Sequence, residues 1–320
     1  MEVTLKVNRY DPAKDAKGEL QDYTLEVDEN ATVLDAMMQV REEQDSTLAF
    51  RGSCRNGFCG DCTMRIGRKT RVACCTPVSE VANDANEVTV EPIRLINVSK
   101  DVLLDMEEMV YKKYQAVEPW IEPTEPQPER EHKVPNEVIQ DLRKVMSCTM
   151  CWLCDEGCTS IVADRKFVGP AALTKDYRVV ADPRDSRTTE RLHKLSEKQG
   201  MWDCCHCFEA SEHCPKEIDP TERIFALRNR AIKVGAGTRN VVGHYKSFAA
   251  SVKAKGWLDE TRLAIDTEGG LLNIKGQLKQ LPLAWKALWR GKIPKPYLLH
   301  PKRPGADRIK SIFRIWESKK

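Results

Sequence analysis

The sequence lacks several features that would assign it to common protein classes. It has no run of about eighteen apolar residues, so we expect no membrane-spanning helix. Its first ten residues, MEVTLKVNRY, contain no apolar stretch of the secretory type. It has neither a G-x-G-x-x-G motif nor a Walker loop, and no catalytic triad or carboxylate pair stands out. We therefore expect a cytoplasmic chain that does no bond-making chemistry on a substrate itself.

What the chain has in excess is cysteine. Thirteen cysteines occur among 320 residues, in a composition that is otherwise ordinary for a globular protein, with 41% hydrophobic and 31% charged residues. A secreted disulfide scaffold would be shorter and would carry a signal peptide. Clustered cysteines in a reducing compartment indicate bound metal.

Charge is distributed unevenly along the chain, although the net charge is only +3. Residues 1–130 carry 25 acidic and 16 basic side chains, whereas residues 271–320 carry 13 basic side chains and only two acidic ones, Asp307 and Glu317. An acidic front and a basic tail indicate different partners at the two ends.

The first hundred residues predict a small α+β domain. Strand-type alternation occurs around Leu5 and around Leu25, and an amphipathic helix is expected from Ala31 to Gln44. A Cys/Gly loop spans residues 52–62, a hairpin over 63–74 turns near Gly67, and a last strand spans 87–91.

A helix at 100–116 and a proline-rich stretch at 118–135 separate this domain from a helical one. Helices are expected at 136–146 and 188–201, and another begins at Asp219, which could cap it. We therefore divide the chain into a small α+β domain (1–100), a helix and linker (101–135), an α-helical domain (136–240) and a helical basic C-terminal extension (241–320).

The first cysteine group reads Cys54-x4-Cys59-x2-Cys62-x11-Cys74. This is the plant-type spacing for a [2Fe–2S] cluster, in which glycines let the backbone N–H groups approach the sulfurs. Zinc is the alternative, but zinc sites usually combine two C-x2-C pairs and this group has one. Cys75 has no free ligand position, and we expect it to be a buried thiol.

The second and third groups together resemble the bacterial ferredoxin run written twice. In that arrangement the fourth cysteine of each run crosses to the other cluster. A [4Fe–4S] cluster is then held by Cys148, Cys151, Cys154 and Cys214, and a third cluster by Cys158, Cys204 and Cys207. Ala210 stands where a further ligand would complete the third set. Three thiolates predict a [3Fe–4S] cluster, or a [4Fe–4S] cluster with a fourth ligand drawn from Cys205, His206 or Glu209.

The order of these groups resembles the iron–sulfur subunit of succinate dehydrogenase and fumarate reductase, the respiratory complex II family. NRYDPAKD at 8–15, CRNGFCGDC at 54–62 and CPKEIDP at 214–220 match its signatures, and the match covers about residues 1–235. The resemblance implies a β-grasp plant-type ferredoxin domain followed by an α-helical ferredoxin domain. It also implies a FAD-containing partner subunit, a membrane anchor with quinone as a potential acceptor, and a peripheral location on the inner face of the cytoplasmic membrane.

The chain departs from this family around the third cluster. The family's usual cysteine falls at Ala210, Thr159 replaces a proline, and residues 160–163 read Ser-Ile-Val-Ala where the family has a quinone-pocket tryptophan. Cys205 also replaces a histidine. These departures are compatible with relatives that pair with a heterodisulfide-reductase-like subunit instead of the usual anchor.

Three functional hypotheses remain at this level: an electron-transfer subunit of a succinate or fumarate oxidoreductase, a relay for a thiol- or heterodisulfide-linked reductase, and a zinc-stabilised interaction protein. The basic tail could lie on an anionic membrane or pack against protein. Nucleic acid is not expected as a partner, because no binding module accompanies the charge.

Overall fold

The computed structural model describes residues 1–292 and 301–318, and the chain divides into two units, Met1–Arg230 and 231–320. All thirteen cysteines lie in the first unit. The boundaries that the sequence predicts inside this unit stay predictions.

The first unit opens with five strands, β1 (Glu2–Arg9), β2 (Glu19–Glu26), β3 (Thr63–Ile66), β4 (Lys69–Val72) and β5 (Glu87–Glu91). They form a mixed sheet in the order β2-β1-β5-β3-β4. Strand β1 pairs antiparallel with β2 and parallel with the central strand β5, and β3 is antiparallel to both β5 and β4. The inward residues of β1 (Val3, Leu5 and Val7) are buried, as the period-2 pattern predicts.

One helix, α1 (Val33–Glu43), covers this sheet. Thr32 caps it: the Asp35 backbone N–H donates to the threonine hydroxyl, and the Asp35 carboxylate accepts from the Thr32 backbone N–H. This reciprocal capping box fixes where the helix starts. Leu34 and Met37 on its inner side are fully buried in the sheet core.

The prediction of a helix at 100–116 is wrong over the first half of that range. Strands β6 (Val98–Lys100) and β7 (Leu103–Leu104) form a small hairpin, a π-helical turn spans Glu107–Tyr111, and only α3 (Lys112–Val117) is an α-helix. Asp101 causes the change, because it has a left-handed φ of +50° and its buried carboxylate accepts hydrogen bonds from Tyr10 and Ala49 backbone N–H groups. These partners hold the turn that ends helical geometry.

The proline-rich stretch is fixed to the helical domain. The buried Arg191 guanidinium donates to the carbonyl oxygens of Glu118 (2.7 Å) and Trp120 (2.8 Å) and pairs with Asp185 (3.1 Å). The Glu122 N–H donates to the same Asp185 carboxylate at 3.1 Å. An extended connector is therefore present, but hydrogen bonds hold it in place.

The rest of the first unit is helical. The predicted helix at 188–201 ends early, at Leu195, because the chain turns so sharply that a Cβ at Gly200 would lie 2.1 Å from the Leu195 oxygen. Besides α1, α3 and the helix that begins near Asp219, the described part of this unit contains seven α-helices. They are α2 (Val78–Val81), α4 (Asn136–Met146), α5 (Leu153–Glu156), α6 (Thr159–Ala163), α7 (Pro170–Val180), α8 (Thr188–Leu195) and α9 (Glu209–Glu212).

The helix predicted from Asp219 is α10 (Pro220–Lys233), but Asp219 does not cap it. Asp219 has a left-handed φ of +64°, and its carboxylate accepts a hydrogen bond from the Ser211 hydroxyl. The Ser211 oxygen in turn accepts from the Thr221 N–H at 3.1 Å and so acts as the cap.

The second unit contains only helices among its described residues. They are α11 (Arg239–Lys255), α12 (Glu260–Thr267), α13 (Ile274–Trp289) and α14 (Ala306–Ser318). No helix within residues 1–292 and 301–318 is long and apolar enough to span a membrane.

Candidate iron–sulfur centres

The first cysteine group lies in a loop that wraps around its own thiols. Backbone N–H groups donate to all four predicted ligand sulfurs, at 3.1–3.4 Å. The acceptors are Cys54 (from Phe58 and Cys59), Cys59 (from Asp61), Cys62 (from Cys74) and Cys74 (from Gly57). Donors of this kind stabilise the negative charge of a thiolate-bound cluster. The loop therefore fits a [2Fe–2S] group.

The electrostatics differ between the outer and inner thiols of this loop. Backbone N–H donors, first of all that of Asn56, lower the pKa of Cys54 to about 6. Burial raises the pKa of Cys62 to about 12. The Cys54 thiol therefore favours the thiolate form that binds iron. The Cys62 thiol stays protonated until a cation binds beside it and stabilises the thiolate.

Two glycines give the loop its close contacts. Gly57 has a φ of +73°, and a Cβ there would lie 2.5 Å from the Cys75 sulfur. Gly60, also at +73°, would place a Cβ 2.8 Å from both the Cys151 Cα and the Thr149 carbonyl oxygen. The backbone of the first cysteine loop therefore rests directly on the backbone of the second.

The prediction that Cys75 is buried is wrong. Residues 73–75 form a 3-10 turn in which Cys74 points inward and Cys75 outward, so Cys75 is exposed. Its sulfur lies 3.8 Å from that of Cys74. Consecutive side chains of such a turn point about a third of a turn apart, which separates the environments of the two thiols.

The four cysteines predicted for the [4Fe–4S] cluster line one pocket. They come from three places: the end of α4 (Cys148), the loop into α5 with Cys154 on that helix, and the end of α9 (Cys214). Apolar walls complete the pocket, including Trp152 and Ile218. Burial raises the pKa of the Cys148, Cys151 and Cys154 thiols, so the neutral forms are favoured until a metal binds.

Two buried hydroxyls near this pocket have no hydrogen-bond partner in the described part of the chain. Thr174 Oγ1, on α7, lines the pocket itself. Tyr114 Oη is the other, and burial together with the charges of Cys148 and Cys154 raises its pKa. Buried hydroxyls normally have a partner, so both fit a site whose acceptor is the bound group. Neither was predicted from the sequence, because no cysteine spacing points to residues on another helix.

The third group gathers at the start of α6. Cys158 is buried and precedes this helix, Cys204 is half-buried, and Cys207 is exposed. Thr159 Oγ1 lies 3.1 Å from the Cys205 sulfur and 3.7 Å from the Cys207 sulfur. The chain thus brings the 204–207 loop against the end of the first ferredoxin-type run. The assignment of Cys158, Cys204 and Cys207 as ligands stays a prediction.

Of the three candidates for a further ligand, His206 has other hydrogen-bond and stacking partners. The His206 ring stacks on Phe225 with centroids 3.7 Å apart, and its Nε2 lies 2.7 Å from an Arg228 nitrogen. Burial and Arg228 lower the pKa of His206 to about 4, which keeps the ring neutral. The Glu209 carboxylate lies 3.7 Å from His213 Nδ1, beyond hydrogen-bond distance, so Glu209 stays a candidate. Cys205 is the third candidate, and its sulfur contacts the same Thr159 hydroxyl as the Cys207 sulfur does.

Comparisons with known proteins agree with this description. Residues 4–111 match a family described as the 2Fe-2S iron–sulfur cluster binding domain. A chain of the Mycobacterium smegmatis Sdh1 complex in the apo form is 26% identical, with a TM-score of 0.64 over 72% of this chain and 96% of that one.

A hypothetical protein from Helicobacter pylori is more distant. It is 15% identical and superimposes with a TM-score of 0.43, over 71% of this chain and 39% of its own.

The predicted α+β fold and the predicted resemblance are confirmed by the family match and by the Mycobacterium smegmatis chain. Residues 4–111 are a 2Fe–2S cluster binding domain, and the chain is an iron–sulfur electron-transfer protein with the fold of the succinate dehydrogenase iron–sulfur subunit.

Proposed function

We propose that the chain relays single electrons, as the iron–sulfur subunit of a succinate dehydrogenase or fumarate reductase, between a FAD-containing subunit and a quinone-reactive membrane-side subunit. The observation that carries this proposal is the contact of Gly60 with Thr149 and Cys151. It supports direct electron passage between the first two centres, because no side chain separates the two cysteine loops there.

The residues of the chain bind and insulate the redox groups. Clusters bound here supply reversible one-electron transfer. The cysteines hold iron as thiolates, and the N–H donors of the 54–62 loop stabilise the added negative charge. Trp152, Ala171 and Ile218 exclude water from the second pocket. Such exclusion, together with hydrogen bonds to sulfur, sets the reduction potential.

A heterodisulfide-reductase-like subunit is a second candidate for the acceptor. Helix α6, which replaces the family's tryptophan segment, presents exposed Val162 and buries Ile161, so it offers no aromatic ring to a quinone. This local difference supports a partner that takes electrons by a route other than the usual quinone pocket.

The experiment is to purify the complex from its native membranes and add succinate under anaerobic conditions. We expect a covalently or tightly bound flavin, acid-labile sulfide and EPR signals that appear on reduction by succinate. If succinate leaves the clusters oxidised while a dithiol reduces them without flavin, the chain belongs to a thiol-linked reductase. Colourless protein that contains zinc and no sulfide would contradict both forms.

For the third centre, we propose that Cys205 joins Cys158, Cys204 and Cys207 as the fourth thiolate of a [4Fe–4S] cluster. Its support is the shared contact of Cys205 and Cys207 with Thr159. The geometry thus favours the four-iron alternative over the three-iron cluster expected from Ala210.

The substitution Cys205→Ser tests this assignment. The oxidised wild-type complex should show no [3Fe–4S] EPR signal, and the variant should gain one as its fourth iron loses a thiolate. Cys75→Ser is the matched control, because that thiol is exposed outside the third group, and it should leave the spectrum unchanged. A [3Fe–4S] signal already present in the oxidised wild type would refute the four-thiolate site.

A further inference from the structure

Within residues 1–292 and 301–318, helix α13 of the second unit makes its hydrogen bonds to neighbouring segments through one polar side. Gln277 Nε2 donates to the carbonyl oxygens of Ile265 and Gly270, both at 3.1 Å, and Gln280 Nε2 lies 3.1 Å from the Glu268 carboxylate. Gly276 makes the closest approach, since a Cβ there would lie 2.6 Å from the Glu268 carbonyl oxygen. Small and amide side chains therefore form the packed side of the helix.

The apolar side of α13 points away from these contacts. At helical spacing, a stripe of large apolar side chains runs along it, and each of them is at least half exposed. The stripe consists of Ile274, Leu278, Leu281, Trp285, Leu288 and Trp289, whose exposed fractions run from 50% to 84%. The two residues ahead of the helix, Leu271 and Leu272, are exposed by 75% and 96% and continue it.

A row of cations borders this stripe. Lys275, Lys279, Lys286 and Arg290 recur at intervals that place them side by side along one edge of the apolar stripe. No aspartate or glutamate occurs between Glu268 and Asp307 to compensate them. The helix therefore combines an apolar face that is exposed among the described residues with a positive edge that lacks acidic residues nearby in the sequence.

We infer that α13 lies in the plane of an anionic lipid surface, with its apolar stripe among the acyl chains and its cations at the headgroups. The composition distinguishes this occupant from a protein. The cores of protein interfaces are depleted in lysine, whereas lysine next to tryptophan is typical of a membrane–water boundary, where the lysine stem lies on apolar material and its ammonium reaches the phosphates.

A second apolar patch on the same unit has similar chemistry. Helix α14 exposes Ile312, Ile315 and Trp316, with exposed fractions of 65%, 57% and 54%. Its other side packs on α11, where the Lys253 ammonium pairs with Glu317. The unit thus presents tryptophan and aliphatic side chains on two helices, as expected of a surface adapted to lipid.

Vesicle binding of the full-length holoprotein tests the inference. The two vesicle types are phosphatidylcholine alone and phosphatidylcholine mixed with phosphatidylglycerol. We expect binding to the mixed vesicles, weakened by salt, with quenching of tryptophan fluorescence by brominated acyl chains. Each cation near an anionic surface strengthens partition about fivefold, so changing all four to glutamine should weaken binding by a hundredfold or more.

Two further variants make the result specific. The control Lys14→Gln, Lys17→Gln, Arg68→Gln, Lys69→Gln removes the same charge from the first unit and should bind as the wild type does. The triple variant Trp285→Phe, Trp289→Phe, Trp316→Phe should retain binding and lose most of the quenching. Equal binding to both vesicle types, unchanged binding of the α13 charge variant, or quenching that persists in the triple tryptophan variant would overturn the proposal. So would vesicle binding that is absent altogether, which would assign the apolar stripe to a protein partner.

Discussion

At the scale of single residues, the second cysteine pocket is notable for a side chain that is not a cysteine. Thr174 carries a buried hydroxyl that faces the pocket and has no partner among residues 1–292 and 301–318. A hydroxyl in this position can donate to a cluster or cysteine sulfur, and such a bond favours the reduced, more negative state. We therefore expect Thr174 to raise the reduction potential of a cluster bound in this pocket.

Replacing Thr174 with valine keeps the shape and removes the donor. We expect the potential of the [4Fe–4S] centre to fall by about 20–60 mV, which corresponds to one net hydrogen bond of about 0.5–1.5 kcal/mol for a one-electron couple. An EPR-monitored redox titration measures it. Thr267→Val removes a hydroxyl that is bonded to Leu263 in the second unit and should shift nothing. An unchanged potential in the Thr174 variant would mean that its hydroxyl does not reach the cluster.

Gly60 is a second residue whose importance comes from a close contact, in this case with the backbone of residues 149–151. In Gly60→Ala, the new methyl would collide with the Cys151 backbone, and the left-handed backbone would add strain of about 1–2 kcal/mol. We expect the first loop to move away from the second, which weakens the spin–spin interaction between the two reduced clusters in EPR.

The matched control for this substitution is Gly67→Ala. Gly67 has a φ of +62° but has nothing within 4 Å of its would-be Cβ. It carries the same backbone strain without the collision, so the inter-cluster interaction should stay at its wild-type value. If both variants weaken the interaction equally, backbone strain and not contact is responsible.

At the scale of elements, a buried arginine is among the residues that hold the connector between the ferredoxin-type domains, beside the Asp185 and Arg187 contacts with Glu122 and Glu118. Arg191 satisfies the carbonyl oxygens of Glu118 and Trp120 and is itself neutralised by Asp185. Because all of these groups are buried or half-buried, the arginine both orders the connector and prevents its carbonyl oxygens from being left unpaired.

Arg191→Met should therefore be strongly destabilising. Loss of one partner from a buried ion pair costs about 3–5 kcal/mol, and Asp185 would be left as an uncompensated charge. Chemical unfolding of the first unit measures the loss, and limited proteolysis should show new cleavage at 118–128. Lys6→Met is the control, since its pairs with Asp22 and Glu87 are partly exposed on the sheet and do not contact the connector. An equal effect of the two substitutions would contradict the assigned role.

Most elements could be predicted from the sequence where their cause is local. The period-2 pattern of β1, the capping residues of α1 and the turn at Gly67 all act within a few positions. The errors occurred where a distant partner decides the geometry. Asp101 ends a predicted helix because Tyr10 and Ala49 bond to it, and Ser211 replaces Asp219 as a cap from eight or more positions away.

The cysteine sites show the same contrast between features with a local cause, which the sequence predicts, and features that depend on distant partners. Cysteine spacing predicts ligand sets, because the loops that hold a cluster are short and repeat between proteins. It does not predict the exposure of Cys75, which depends on one 3-10 turn, or the contribution of Thr174, which depends on how α7 packs. Selecting Cys205 over His206 also required the structure, since only the Phe225 stack and Arg228 show that the imidazole has other partners.

At the scale of the whole molecule, the two units carry different chemical features. The first carries every cysteine, and the second carries the apolar and basic helix α13. Ending the chain after Val234, beyond α10, should leave iron and sulfide content and EPR spectra unchanged while vesicle binding is lost. Metal analysis and co-sedimentation check the two parts separately. Loss of the clusters on truncation would show that the second unit is needed to form the centres.

The contact between Gly60 and the Cys151 loop also limits how such proteins can be recombined. A domain that meets its neighbour through side chains can be exchanged, because side chains adapt. Here the two domains meet backbone to backbone, at a spacing that only glycine permits. A chimera that takes its first domain from one relative and its second from another would have to inherit Gly60 and the 149–151 backbone together, so evolution is expected to move the two domains as one module.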